Sequence, residues 1–219
     1  MEKLCDLLQV KPGVTALIGG GGKTSLLYHL AEELRDRGTV LVCTTTKIWP
    51  PEHLPVVGEV DKLIEALSHY GVACAGTPTA QGKLTTPHFR WEDRADYVLV
   101  EADGSKRLPL KAHAPHEPVI PACAGQTVCV VGADGFGRPI AEVCHRPERY
   151  AALCGAALTD IVTPALAARV LLAEGYGGGW VYVNKVETPR DRASAAALAA
   201  ALPGTVVAGS LHRREYQVY

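Results

Sequence analysis

The sequence predicts an α/β protein with a mostly parallel sheet flanked by helices, and three observations predict it. Five short apolar runs rich in β-branched residues, Val14 to Ile18, Val40 to Cys43, Tyr97 to Val100, Val128 to Val131 and Val181 to Val183, have the character of buried strands. Helical patterns lie between several of them, and strand, helix, strand is the crossover unit of a parallel sheet. At 219 residues the chain has room for one domain with a proper core, so a single domain over 1–219 is expected.

In chain order, Val14 to Ile18 is the first strand. Leu26, Leu27, Leu30, Ala31 and Leu34 then place one apolar stripe on a helix that ends before Gly38. The strand Val40 to Cys43 follows, then a helix at Asp61 to His69. The alternation breaks from Gly71 to Asp93, where Gly76-Thr77-Pro78 and Gln81-Gly82-Lys83 are turn signals around short β-prone pieces, so a small hairpin excursion is expected around 71–93. Later helices are expected at Pro164 to Glu174, with Pro164 suited to a first turn, and at the Ala-rich stretch Pro189 to Leu202. A sixth apolar run, Val206 to Ala208, lies near the C-terminus.

Apolar residues make up 47% of the chain and charged residues 21%, the balance of a globular protein with a packed core. The formal charge is −1 with acids and bases interspersed, so no basic stripe tracks a phosphate backbone and nucleic acid is not an expected partner. The N-terminus lacks the layout of a signal peptide, and no apolar run approaches the roughly 20 residues of a membrane span. No membrane association and a cytoplasmic location are expected. Seven cysteines, an odd number without a Cys-x-x-Cys pair, fit neither a disulfide framework nor a usual zinc site and read as buried thiols.

The chemistry starts at Gly19-Gly20-Gly21-Gly22-Lys23-Thr24-Ser25, which follows a strand and opens an amphipathic helix. Glycines let successive backbone N–H groups approach phosphate oxygens, the helix N-terminus adds partial positive charge, and Lys23 adds a full one. The Thr24 hydroxyl is the ligand that such loops place on Mg²⁺. Leu17 occupies the first glycine position of the longer Gly-x-x-x-x-Gly-Lys-Ser/Thr pattern, so Gly19-x-x-Gly22-Lys23-Thr24 is more compact and resembles the loops of Mur ligases and metallochaperone GTPases. A P-loop NTPase-like, nucleotide-binding domain is expected, with a helix-capping glycine turn as the plain alternative.

Such a site needs a carboxylate at a neighbouring strand end, and Tyr97-Val98-Leu99-Val100-Glu101-Ala102-Asp103-Gly104-Ser105 carries two. Either Glu101 or Asp103 could hold the Mg²⁺, with Asp103 also a catalytic candidate beside Lys23; a polar turn after a buried strand is the alternative. Ser105-Lys106-Arg107-Leu108-Pro109-Leu110-Lys111 could reach an anionic ligand or be a solvated loop. Thr44-Thr45-Thr46-Lys47 places hydroxyls and a cation at the carboxyl edge, where ligands of open α/β sheets collect.

Val181-Tyr182-Val183-Asn184-Lys185-Val186-Glu187 is close to the Asn-Lys-x-Asp element that reads guanine. There an acid accepts from the two N–H groups on guanine's edge while the lysine lies along the base. Asn184, Lys185 and Glu187 therefore favour GTP over ATP, although Glu187 is one methylene longer than Asp. The alternative is an acid at the N-terminus of the helix that starts at Pro189.

Together, Ile18-Gly19-Gly20-Gly21-Gly22-Lys23-Thr24-Ser25, Thr44-Thr45-Thr46-Lys47, Glu101-Ala102-Asp103-Gly104-Ser105, Pro115-His116-Glu117-Pro118-Val119-Ile120-Pro121, His145-Arg146-Pro147-Glu148 and Asn184-Lys185 resemble the YqeC family across nearly the whole chain. The resemblance implies an accessory protein for selenium-dependent molybdenum hydroxylases, enzymes related to xanthine dehydrogenase, acting in maturation of their selenium-containing molybdenum cofactor. The hydroxylase or its cofactor-maturation proteins would be the partners. Glu187 stands where Asp is more usual, and His113 where Pro is expected. By analogy with metallochaperone NTPases, a homodimer is a further expectation.

Two clusters remain. His113, His116 and Glu117 lie among prolines and lack the His-Glu-x-x-His helical spacing, so a metal there is a minor reading. Cys144-His145, followed by Arg146, reads by default as a surface turn, with a thiolate of lowered pKa able to handle selenium or sulfur as the minor alternative. The leading functional expectation is an NTPase using Mg²⁺ and GTP or ATP. The others are a non-hydrolytic carrier of a nucleotide or of a pterin phosphate, and a small-molecule kinase.

Overall fold

The computed structural model describes residues 2–219. The chain falls into two compact units. The first comprises residues up to Leu17, Thr24–Asp103 and Val119–Thr127; the second comprises Ile18–Lys23, Gly104–Pro118 and Val128–Tyr219.

The first unit carries α1 (Leu4–Leu7), β1 (Gly13–Gly19) as far as Leu17, α2 (Lys23–Leu34) from Thr24, β2 (Val40–Thr44), β3 (Val56–Val57), α3 (Val60–Tyr70), β4 (Val72–Ala75), β5 (Thr77–Pro78), β6 (Leu84–Thr85) and β7 (Tyr97–Glu101). Its strands run β1-β7-β2-β4-β3, every neighbouring pair parallel. All residues of β2 and β7 are buried, which explains their unbroken apolar runs. The register sets Leu17 and Thr44 on either side of Glu101, so that acid stands at the carboxyl edge. Leu63, Ala66 and Leu67 on one face of α3 share a core with Leu41, Cys43, Val98 and Val100. Removing a side chain such as Leu63 costs about 2–5 kcal/mol through lost burial and the cavity left behind.

The hairpin excursion is smaller than expected. Within it β5 and β6 pair antiparallel and Leu84 bridges Ile48, whereas Val72–Ala75 is an inner parallel strand, with Val40 opposite Val72 and Val56 opposite Cys74. Three of its four side chains are Ala or Cys, with weak strand preference, and burial between two neighbours overrides it.

The second unit carries β8 (Leu110–Lys111), β9 (Ala124–Gly132) from Val128, α4 (Ile140–Val143), β10 (Cys144–His145), α5 (Pro147–Cys154), α6 (Pro164–Ala173), β11 (Trp180–Asn184), α7 (Pro189–Ala200), β12 (Thr205–Ser210) and β13 (Glu215–Val218). Its main strands run β9-β11-β12-β13, parallel except for the last pair. A separate parallel ladder of β8 and β10 sets Lys111 opposite His145. Helix α6 packs against α5 and α7. Pro164 follows the N-cap Thr163, and Pro189 follows Thr188, whose hydroxyl forms a capping box with Asp191. The expected α/β class, a mostly parallel sheet flanked by helices, is what the structure shows. Among the described residues no helix is long and apolar enough to cross a membrane.

Candidate functional site

In the second unit the glycine loop closes on its own backbone. Gly20 N–H donates to Val130 O at 2.9 Å and Gly21 N–H to Leu108 O at 3.1 Å. Gly21 has a φ of 76°, and a Cβ there would overlap the backbone of Val131 and Gly132, so no other residue fits. Lys23 is 3% exposed, and its Nζ donates to Gly19 O at 2.6 Å. The loop's first N–H groups are thus committed to protein carbonyls. The groups with no intrahelical carbonyl to meet begin with the first turn of α2.

In the first unit, Thr24 Oγ1 donates to Glu101 Oε2 at 2.6 Å. Glu101 is buried, and Asp103, two residues on, is wholly buried. Ser25 is exposed. Thr44 Oγ1 donates to Glu101 O at 2.8 Å and accepts from Thr46 N–H at 3.0 Å, while Thr45 Oγ1 donates to Val119 O at 2.7 Å. The threonine run therefore pins the strand end that carries Glu101, and Lys47 lies exposed beyond it. Burial, and then Cys74 and Glu101 near it, push the hydroxyl of Tyr28, one helical turn after Thr24, well up from its ordinary value. Thr24 and Glu101 offer hard oxygen donors that fit Mg²⁺, an ion commonly bound by one or two protein groups plus phosphate and water. Among the described residues no cluster of three or more His, Cys, Asp or Glu could hold a metal by itself.

The Asn184-Lys185-Val186-Glu187 element lies in the second unit, and one member touches the loop directly. Asn184 Nδ2 donates to Gly21 O at 2.8 Å, and its Oδ1 accepts from Lys185 N–H at 2.8 Å. Lys185 has a φ of 62° and pairs with Asp134 at 2.7 Å. Glu187 does not cap α7, since Thr188 and Asp191 do that. Its Oε1 accepts from Ser210 Oγ at 2.8 Å, and its carbonyl from Arg213 at 2.9 Å. Ser210 and Asp134 escaped the sequence reading. Ser210 ends a parallel strand on the carboxyl side, the place where such residues are sought.

The remaining clusters rule against two minor readings. Burial pushes the Cys144 thiol up to about 12, opposite to the lowered value expected of a reactive thiolate. Burial, then the charges of Arg146 and Lys111, pushes His145 down to about 4, and the neutral ring accepts from Arg146 Nη1 at 2.7 Å. His113 and Glu117 do not share a ligand set. His113 Nδ1 lies 2.7 Å from Glu174, while Glu117 Oε2 meets Lys111 at 2.9 Å and Arg146 at 3.1 Å. The minor reading of a metal in this Pro-rich loop gives way to ion pairs, His113 with Glu174 and Glu117 with Lys111 and Arg146.

Comparison with known proteins gives the family. The model of the YqeC protein family matches residues 15–148. The uncharacterized protein YqeC of Escherichia coli (strain K12) is 37% identical over 162 residues, covering 67% of this chain and 62% of that protein. The chain thus spans less than two thirds of its relative's length. No solved structure gives a significant match. With the family model covering more than half of its length, the chain belongs to the YqeC family.

Proposed function

We propose that this protein is a P-loop NTPase. It binds GTP or ATP with Mg²⁺ at Gly19–Ser25 and hydrolyses it while serving maturation of the selenium-containing molybdenum cofactor of molybdenum hydroxylases in the cytoplasm. The observation that carries the reading is the 2.6 Å hydrogen bond from Thr24 to Glu101. A hydroxyl one residue after the loop lysine, held by an acid at a strand end, is the donor pair that Mg²⁺ takes in phosphoryl-transfer sites.

Each residue then has a task. Lys23, released from Gly19 O, meets the phosphates, joined by N–H groups of the first turn of α2. Thr24 and Glu101 would hold Mg²⁺, whose charge would offset that of the phosphate oxygens, and Asp103, two residues on from Glu101 and wholly buried, is the second candidate acid. Asn184 fastens the base-reading segment to the loop, and Ser210 fixes one oxygen of Glu187, which makes the carboxylate a defined acceptor for guanine's N–H edge. GTP is favoured on that ground.

The client assignment rests on the family resemblance. Turnover is slow in isolation, because a loop that binds phosphate also needs a positioned water and added cations to hydrolyse it. The test is phosphate release from Mg²⁺-GTP and Mg²⁺-ATP, with and without a selenium-dependent hydroxylase, by wild type, Thr24→Ala and Glu101→Gln. The expected result is client-stimulated release that falls about 100-fold in either variant. Tight binding without release under both conditions would make the protein a carrier instead.

A further inference from the structure

Lys106 and Arg107 are consecutive non-glycine residues with positive φ, 50° and 64°. The turn they centre is closed by Leu108 N–H donating to Ser105 O at 2.9 Å. Turns with both central residues left-handed ordinarily use Asn-Gly, because a Cβ is strained there. Core burial does not offset that strain here, since both side chains are exposed. Held strain of this kind gathers at ligand clamps and active sites.

The same turn is fastened to the glycine loop within the second unit. Leu108 O accepts from Gly21 N–H at 3.1 Å, and a Cβ on Gly20 would lie 2.7 Å from that same oxygen. Gly132 N–H holds the next carbonyl, that of Pro109, at 2.9 Å. Arg107 thus immediately precedes the residue whose carbonyl grips the loop. Lys106 lies near enough to His145 for its charge, with those of Arg146 and Lys111, to act on that ring, while Glu117 pairs with Lys111 and Arg146 and leaves Lys106 and Arg107 as the exposed cations of the turn.

Resting on the nucleotide reading, we infer that Lys106 and Arg107 bind the terminal phosphates of a nucleotide held at the glycine loop, as cations built into the chain. In hydrolysis, water oxygen bonds to the γ-phosphorus as the bond to the β–γ bridging oxygen breaks. The bonding pair leaves with the nucleoside diphosphate, and one water proton passes to the phosphate product or to solvent. Charge spread over the equatorial and bridging oxygens during that exchange is what an adjacent lysine and arginine stabilise. A left-handed backbone at both positions is the cost of presenting two long cations from so short a turn.

The test uses the full chain with the double substitution Lys106→Asn, Arg107→Gly, and separately Arg107→Gln, which keeps the Cβ and the strained backbone while removing the charge. Thermal midpoints without ligand, dissociation constants for GTP, ATP and GMP, and turnover are measured. The double variant is expected to melt several degrees higher than wild type while its triphosphate affinity and turnover fall at least ~10-fold, with GMP binding unchanged. Arg107→Gln should lose triphosphate function without gaining stability. Wild-type affinity and turnover in both variants, or a lowered midpoint in the double variant, would overturn the inference alone. Failure of wild type to bind any nucleotide would instead remove the proposed function, and this inference with it.

Discussion

Thr24 and Glu101 are joined through a single donated proton, so their substitutions separate structure from ligand binding. Thr24→Ser keeps that hydroxyl and is expected to retain nucleotide turnover, whereas Thr24→Ala loses it while melting within about 1 kcal/mol of wild type. Parallel melting curves and phosphate-release assays check both. Ser210→Ala releases Oε1 of Glu187 and is expected to lower the preference for GTP over ATP about 10-fold, read as the ratio of the two dissociation constants. Gly21→Ala should destabilise the loop by more than the roughly 1–3 kcal/mol of a left-handed residue, because its Cβ also meets backbone, and a denaturant titration would show it. At this scale the glycines, Lys23, Thr24 and the two acids were legible in the sequence as candidates. It left Glu101 and Asp103 level, since only the strand register sets Glu101 opposite Leu17 and Thr44. Neither sequence reading of Cys144, a surface turn or a thiolate, foresaw that it is buried, where a neighbouring His and Arg do not make a thiolate.

Helix α7 shows what an element owes to its ends. Its exposed, Ala-rich body buries little beyond Ala195 and Leu198, so the Thr188–Asp191 capping box weighs heavily. Thr188→Ala is expected to cost about 1 kcal/mol, seen as a lower denaturant midpoint with an unchanged slope. The β8–β10 ladder carries a pH signature. His145 titrates near 4 in the folded chain against an ordinary value of 6.5, so the unfolded chain binds the extra proton first. Stability from the neutral ring is present above about 6.5 and is lost as pH falls toward 4. His145→Gln should flatten that part of the stability–pH curve. Long β-branched runs and a Pro-marked helix start made most elements legible. The short strands β3, β8 and β10, two residues each, carry no periodicity to read, and β4 was hidden by its small side chains.

Across the whole molecule, the glycine loop Ile18–Lys23 is a short segment of the second unit set in sequence between Leu17 and Thr24 of the first. Each unit is assembled from three separated segments, which composition and local pattern cannot reveal because the grouping arises from long-range contacts. The class of fold was readable nonetheless, since buried parallel strands and crossover helices each leave a local mark. Nucleotide binding by the intact chain is the proposal on which the rest depends. The most direct measurement is the thermal midpoint of wild type and Lys23→Ala with Mg²⁺ and saturating GTP or ATP. At about 100 times its dissociation constant a ligand adds roughly 2.7 kcal/mol, a rise of some 5–10 °C for a chain of this size. That rise is expected in wild type, larger with GTP than with ATP at equal concentration, and it is expected to be lost in Lys23→Ala. No shift with either nucleotide, or the same shift in both proteins, would contradict the proposal.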